Sequence, residues 1–357
     1  MNNRLYMDVH ILQTVPPSCI NRDDTGSPKT AVYGGCMRSR VSSQAWKRSV
    51  RIMFRDLLAG EEVGIRTLRV PDELKEVIKG LDPSSNAEKL ANEALKLAGI
   101  KTKEKNGKVL TDALFFISRK QLEALARLSV EGSKDGKAYK SAVSDNPSID
   151  IALFGRMVAS DPTLNTDAAA QVAHSISTHV VNNEYDYFTA VDDCMPEDNA
   201  GAGHLGSVEY NSSTLYRYAT VCIPELYKNL GNDTARAARA FAEAFILSMP
   251  TGKQNTFANR TLPSLVYLTL RKDQPVNLVG AFEKPVPDSE QGYVNESAKR
   301  LIEYAEKTYR TFADKPETAY GVGELERLES IADVMPLSSM LDRLQEDISR
   351  MTSEEVM

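Results

Sequence analysis

The sequence predicts an α+β fold built on the element order βαββαβ and broken by two long insertions. Three observations predict it. Leu5, Met7, Val9 and Ile11 alternate with Tyr6, Asp8, His10 and Leu12, the period of a strand. Trp46, Val50, Met53, Phe54 and Leu57 recur at helical spacing. A further strand, helix and strand follow one another between Thr214 and Leu270.

The first strand runs into "TVPPSCINRDDTGSPKT", dense in Pro, Asp, Asn and Gly, which predicts a loop. The helix that follows has Ser42 or Ser43 as cap and Gly60 to close it. From Gly60 to about Pro147 the chain is Lys/Glu-rich, with helical patterns near Asp72 to Lys79, Asn86 to Leu97 and Thr111 to Ser129, and reads as a helical insertion. "SIDIALFG", Ser148 to Gly155, alternates Ile149, Ile151 and Leu153 and predicts a strand. "AAAQVAHSISTHVV" begins with helix formers but ends in β-branched residues, leaving helix and strand both open. "VDDCMPEDNAGAGHLG" predicts an exposed loop. "TLYRYATVCI" predicts a strand, "DTARAARAFAEAFILSM" a helix capped by Asp233, and "LPSLVYLTL" the final strand. From Glu283 onward come 17 acidic and 9 basic residues, an acidic C-terminal region expected to be helical.

Without the insertions the order is that of the ferredoxin-like fold shared by RNA-recognition modules. The expected organisation is an RNA-recognition-motif-like core (1–59, 148–155 and 206–285), a helical insertion (60–147), a second insertion (156–205) and the acidic C-terminal region (286–357). Fold order alone fixes no function.

The chain of 357 residues, 42% apolar, is long enough to bury a substantial core. Its first residues interrupt their apolar positions with Asp8, His10 and Gln13, unlike a secretory leader, and no run approaches a membrane span, so a cytoplasmic protein is expected. Cys19, Cys36, Cys194 and Cys222 lie far apart, which signals neither a disulfide framework nor structural zinc.

The charge is unevenly distributed. Thr25 to Arg55 hold Lys29, Arg38, Arg40, Lys47, Arg48, Arg51 and Arg55 and no Asp or Glu. The whole chain has 43 basic and 49 acidic residues, so outside this island 36 basic residues face 49 acidic ones. Lys47, Arg51 and Arg55 are four apart, a basic stripe beside the apolar face. Ser42, Ser43 and Gln44 stand at the helix start, where backbone N–H groups favour anions. Most cationic helix faces are merely solvated, but the unopposed run in an acidic chain points to one polyanion track rather than a general coat. "YGG" at Tyr33 to Gly35 gives a close-approach turn. "TGKQNTF" lacks the full phosphate-loop pattern, yet Lys253, Gln254 and Asn255 are placed to touch a backbone.

Catalysis has weaker support. His174 and His179 are five apart, the wrong spacing for a shared metal face on a helix. Asp23/Asp24 and Asp192/Asp193 are the candidate ligands for a divalent ion, although paired Asp in such loops more often cap turns. No cofactor is expected.

"SCINRDDTGSPKTAVYGG" followed by "RSRVSSQAWKRSVR" strongly resembles the backbone subunit of the type I-E CRISPR Cascade, the CasC family. "DIALFGRM", "AHSISTHVV", "YFTAVDD", "HLG", "LYRYA" and "GKQNTFA" match in the family's order, with good coverage to about Pro285. The resemblance implies an RNA-recognition-motif-like palm, helical fingers (60–147) and a protruding thumb (156–205), in a noncatalytic subunit of which several copies form a filament along a crRNA guide beside other Cascade subunits, with target DNA reached through the guide. By matching positions, it implies that Arg22, Lys29, Arg38, Arg40, Ser42, Ser43, Gln44, Lys47, Arg48 and Arg51 lie along the guide backbone. Met157, Phe188 and Val191 fall where the family wedges apolar side chains beside bases. Cys36 and Met37 occupy positions often basic in the family. Two rival readings are a metal-dependent ribonuclease using Asp23, Asp24 or Asp192, and a scaffold that contacts only protein.

Overall fold

The computed structural model describes residues 4–190, 194 and 204–356. The chain opens with β1 (Tyr6–Ser18), the hairpin β2 (Thr30–Tyr33) and β3 (Cys36–Val41), and α1 (Ser43–Leu57). Residues 60–147 hold β4 (Ile65–Thr67), α2 (Val70–Leu81), α3 (Ala87–Leu97), the hairpin β5 (Thr102–Lys105) and β6 (Lys108–Thr111), β7 (Phe115–Ile117), α4 (Arg119–Val130) and α5 (Gly136–Ser144). Next come α6 (Ile149–Phe154), β8 (Ala170–Val172), β9 (Ser175–Ser177), β10 (Glu184–Ala190), β11 (His204–Cys222), α7 (Ile223–Leu230), α8 (Thr234–Leu247), the short α9 (Gln254–Phe257) and β12 (Leu265–Arg271). The C-terminal region adds α10 (Val294–Thr311), β13 (Thr318–Val322), β14 (Asp333–Val334) and α11 (Leu337–Val356).

One mixed sheet organises the molecule, in the order β14-β13-β12-β1-β11-β9-β3-β2, with β8 and β10 also paired to β11. β1 lies between β11 (Tyr6 opposite Cys222) and β12 (Tyr6 opposite Arg271), antiparallel to both. It extends through the predicted loop start to Ser18, and its pairing shifts between Val15 and Ser18, where Pro16 and Pro17 cannot donate ladder bonds.

The alternation in β1 sorts two buried faces. Met7, Val9 and Ile11 join Trp46, Val50 and Phe54 of α1, Phe241 and Phe245 of α8, and Leu344 and Ile348 of α11 in the main core. Asp8, His10 and Leu12 face the other way, beneath Ala298, Leu301 and Ala305 of α10. The polar positions are therefore covered, not solvated. A separate core of Leu74, Ile78, Leu95, Leu122, Leu125 and neighbours holds α2 to α5 together.

Four expectations are corrected. Residues 148–155 form α6, not a strand: Ile149 to Leu153 are all buried, so the apolar period carries no information, and Ser148 occupies the N-cap. In "AAAQVAHSISTHVV", where the sequence leaves helix and strand both open, the chain forms two short strands, β8 and β9. α1 ends at Leu58, whose N–H bonds the Phe54 carbonyl, and Gly60 begins a 3-10 turn instead. The C-terminal region is not all helical, since β13 extends the sheet beyond β12. The Asp233 side chain makes no capping bond to α8; Thr234 donates to the Gly231 carbonyl instead.

Under α10 the polar residues form a network. Tyr218 donates to Asp8 at 2.9 Å, and the Val276 N–H donates to its other oxygen at 2.9 Å. Burial raises the Asp8 carboxyl from 3.8 to about 6, partly offset by these bonds and by Arg271. Asp8 thus contributes stability that is complete below pH 3.8 and is lost as pH rises through about 6. His10, held at about 3 by burial, has the opposite sign: its contribution is present above pH 6.5 and is lost as pH falls. The two slopes oppose each other, so the difference between variant and wild type is the informative quantity. Asp8→Asn mimics the neutral acid, and between pH 4 and 7.5 its stability relative to wild type rises by roughly 2–3 kcal/mol, from about 1.36 kcal/mol per pKa unit. Urea unfolding at both pH values checks this, and a pH-independent difference contradicts it.

Candidate nucleic-acid interface

The start of α1 is built by the loop before it. Asn21 Oδ1 accepts the Ser42 N–H at 2.8 Å, and Ser42 Oγ caps α1 by accepting the Ala45 N–H at 3.3 Å. The first turn holds no acidic residue. α1 itself is seated by Trp46, whose Nε1–H donates to Ser175 Oγ at 2.9 Å, and by Arg217, whose guanidinium lies 3.8 Å over the Trp46 ring.

Around this start the predicted cations divide into two groups. Arg22 is exposed and Lys29 half-buried on the Asn21 loop, whose fold is closed by the Lys29 N–H donating to the Asn21 carbonyl at 2.9 Å. Arg40 donates Nε–H to the Thr30 carbonyl at 3.1 Å and lies 3.1 Å from His174 Nδ1. Burial lowers the His174 pKa, and Arg40 and Lys29 lower it further, which places both cations beside that ring. A Cβ at Gly252 would lie 2.3 Å from the Ile20 carbonyl oxygen, so only glycine lets the Lys253 loop approach this closely. Burial raises the Cys19 thiol pKa, while Arg22 and Lys253 oppose the rise and Glu209 and Asp23 reinforce it. Arg22, Lys29 and Arg40 thus stand with Ser43 and Gln44 at one helix start, and the approach of Gly252 to Ile20 brings Lys253 to the same loop, whereas Gln254 lies beside Ser49, Met53 and Asp56, farther along α1.

The remaining members have other employment. Arg38 is fully buried, donating to the carbonyls of Ser177 (2.9 Å), Phe282 (2.9 Å) and Glu283 (3.2 Å), so it cannot meet a phosphate. Its place on an inward-facing strand position was hidden by its charge. Arg51 pairs with buried Asp150 at 2.9 Å and lies 4.3 Å over the Phe116 ring, which removes it from the predicted stripe. Ser42 is buried at its cap, and Lys47 is half-buried beside the Phe154 ring at 5.7 Å, with its pKa lowered by burial. Arg48 is exposed on α1.

The candidate wedges lie outside the core. Met157 is 84% exposed and follows Arg156, which is buried and donates to the carbonyls of Leu164, Phe116 and Val143. Phe188 stands on the β10–β11 ribbon, 41% exposed, opposite Gly206, where a Cβ would lie 2.4 Å from its ring. Tyr185, Tyr187 and Leu205 on this ribbon are also exposed. Val191 and Asp192 fall outside the described residues. Asp23 accepts the Thr25 and Ser27 N–H groups and the Thr25 hydroxyl, the turn-capping role. Among the described residues no group of three or more His, Cys, Asp or Glu is arranged to hold a metal ion, and no helix is long and apolar enough to cross a membrane.

Sequence reasoning missed Asn21, which ties the loop to α1, and His174, which adjoins Arg40. Neither carries a signal without the fold, because each partner is distant in sequence.

Solved structures share this architecture. A chain of a "CRISPR RNA-guided surveillance complex, pre-nicking" superposes with a TM-score of 0.81 at 32% identity, covering 95% of this chain and 100% of that one. A chain of a "CRISPR RNA-guided surveillance complex" superposes with a TM-score of 0.62 at 29% identity, covering 95% and 99%. No curated protein matches the sequence. Residues 7–346 match the family model described as CT1975-like protein, and the chain belongs to this CT1975-like family of Cas proteins.

Proposed function

We propose that this chain is a noncatalytic backbone subunit of a CRISPR surveillance complex of the type I-E Cascade kind, a CasC protein. Copies polymerise along a crRNA, grip its phosphates and leave its bases free to pair with target DNA. The observation that carries this reading is the gathering of Arg22, Lys29, Arg40 and Lys253 around the acid-free start of α1 in a chain of net charge −6. In this reading β12-β1-β11-β8/β9, with α1 and α8, is a ferredoxin-like palm, residues 60–147 are fingers, and the β10–β11 ribbon is the thumb.

The physics favours a backbone grip. The sheet face that RNA-recognition modules use is covered by α10. Cations at a helix start hold phosphates without reading bases, as a guide-programmed complex requires. Exposed Met157 and Phe188 are apolar surfaces able to part a base stack at a cost of a few kcal/mol per step.

The expected result on purification from a host that makes guides is RNA of uniform length bound to the protein. That RNA and a complementary strand stay intact when incubated with Mg²⁺. Metal-dependent scission favours the ribonuclease reading, and protein free of RNA favours a protein-only scaffold.

A further inference from the structure

Where α10 ends, two open clefts of about 420 and 440 Å³ share Tyr309 and Arg310 in their walls. The first extends toward Arg4 and Asp273, the second toward Lys315, Pro316 and Ile331, so the two make one groove. It lies at the far end of β1 from the start of α1, since Arg4 precedes β1 and Asn21 follows it. β1 has 13 residues, which at about 3.3 Å each sets the two sites about 40 Å apart. The frame of the groove is fixed. Tyr309 Oη lies 3.1 Å from Tyr267 Oη, and the Arg271 guanidinium stands 5.2 Å over the Tyr309 ring. The Phe312 N–H donates to the Thr308 carbonyl at 2.9 Å, and the Asp314 N–H to Asp273 Oδ2 at 3.2 Å. From this frame the Phe312 side chain projects 86% exposed. The exposed Arg310 and Lys315 side chains make no hydrogen bond or ion pair among the described residues. Two unpaired cations thus flank an aromatic ring in a region of 17 acidic and 9 basic residues.

We propose that this groove docks an extended acidic segment of a second protein, whose carboxylates meet Arg310 and Lys315 and whose apolar side chain covers Phe312. The inference stands apart from the guide-binding reading. Aromatic residues and Arg are the types that carry most binding energy at protein interfaces. An exposed ring on a fixed frame offers apolar area at little ordering cost. Open clefts suit a chain passing across them, whereas a small molecule needs most of its surface enclosed. A nucleic-acid strand is disfavoured, because Asp273, Asp314 and Glu306 line the groove and regularly spaced phosphates cannot avoid them. Glu306 is itself held by Arg327 at 3.3 Å and by Ser330 Oγ at 3.0 Å, so it does not neutralise Arg310. A peptide can confine its carboxylates to the two unpaired cations. At this distance from α1, the segment and a strand on the α1 start bind without competing.

The test pans a phage-displayed library of random peptides against the purified chain and measures the affinity of synthetic copies by fluorescence polarisation. The expected peptides carry Asp or Glu on either side of a large apolar residue. They bind the double variant Arg310→Glu, Lys315→Glu about tenfold more weakly than wild type, and Phe312→Ser carries the same expectation. All three side chains are exposed, so the urea midpoint is unchanged in both variants. Recovery of no peptide, of peptides without acidic residues, or of peptides that bind the variants as tightly as wild type overturns the proposal. So does displacement of the peptides by oligothymidylate, which would make the groove a strand site, or self-association that both variants abolish, which would make it a contact between copies of this chain. A chain that holds no guide yet binds these peptides overturns the guide-binding reading and leaves this inference standing.

Discussion

The double variant Arg22→Glu, Lys253→Glu binds guide RNA about a hundredfold more weakly than wild type at physiological salt, whatever the guide sequence. Each substitution removes a cation that displaces counterions from the strand and replaces it with a charge that repels the phosphates. The two residues come from loops far apart in sequence that meet at Gly252 and Ile20, so the variant challenges the assembled site and not a local stretch. Both side chains lie outside the core, and their reversal leaves the packing of α1 untouched. Filter binding with two guides of unrelated sequence measures the effect. A loss for one guide only would mean that the loops read bases. The predicted stripe invites reversal of Arg51 instead, but that change would report on folding, because Arg51 is committed to Asp150.

Asp150→Ala destabilises the protein by about 3–5 kcal/mol, the loss expected when one member of a buried ion pair is removed. Asp150 is fully buried on α6. It accepts from Arg51 Nε at 2.9 Å, the Gly64 N–H at 2.8 Å and Ser148 Oγ at 2.7 Å, so one carboxylate joins α1, the segment leading into β4 and the start of α6. Removing it strands three donors at once, each with its own desolvation cost. The double variant Asp150→Ala, Arg51→Met recovers part of the loss, since replacing both partners leaves no unmatched charge. Urea unfolding of the two variants and wild type checks this. An Asp150→Ala loss below about 1 kcal/mol would mean that the cluster is solvated and contributes as a surface pair does.

The parts of the fold open to sequence reading were those in which one period dominated. β1, α1 and α8 declare themselves because apolar residues recur at intervals of two or of three and four, and β12 by its β-forming Val266, Tyr267 and Thr269. α6 does not, because a short segment buried on all sides shows no contrast between its faces. β13 and β14 were missed for a related reason: Thr318 to Val322 is five residues long, and its value lies in pairing with β12 rather than in its own pattern. At the candidate interface the island was visible as charge, but charge does not reveal direction. Arg38, Arg40 and Arg51 look alike in sequence; in the fold one is buried and donates to three backbone carbonyls, one stands beside His174, and one pairs with Asp150. The contribution of Lys253 depended on the close approach of Gly252 to Ile20, a long-range contact that the loop composition only permits.

The central claim is that strand phosphates dock on the cations around the start of α1. Its most direct test is the dependence of guide affinity on salt concentration for wild type and for Arg22→Glu, Lys253→Glu. If two phosphate contacts are lost, the slope of log affinity against log salt becomes shallower by about 1.4, at about 0.7 per contact for a single strand. Parallel lines for the two proteins would place the phosphates elsewhere and contradict the account.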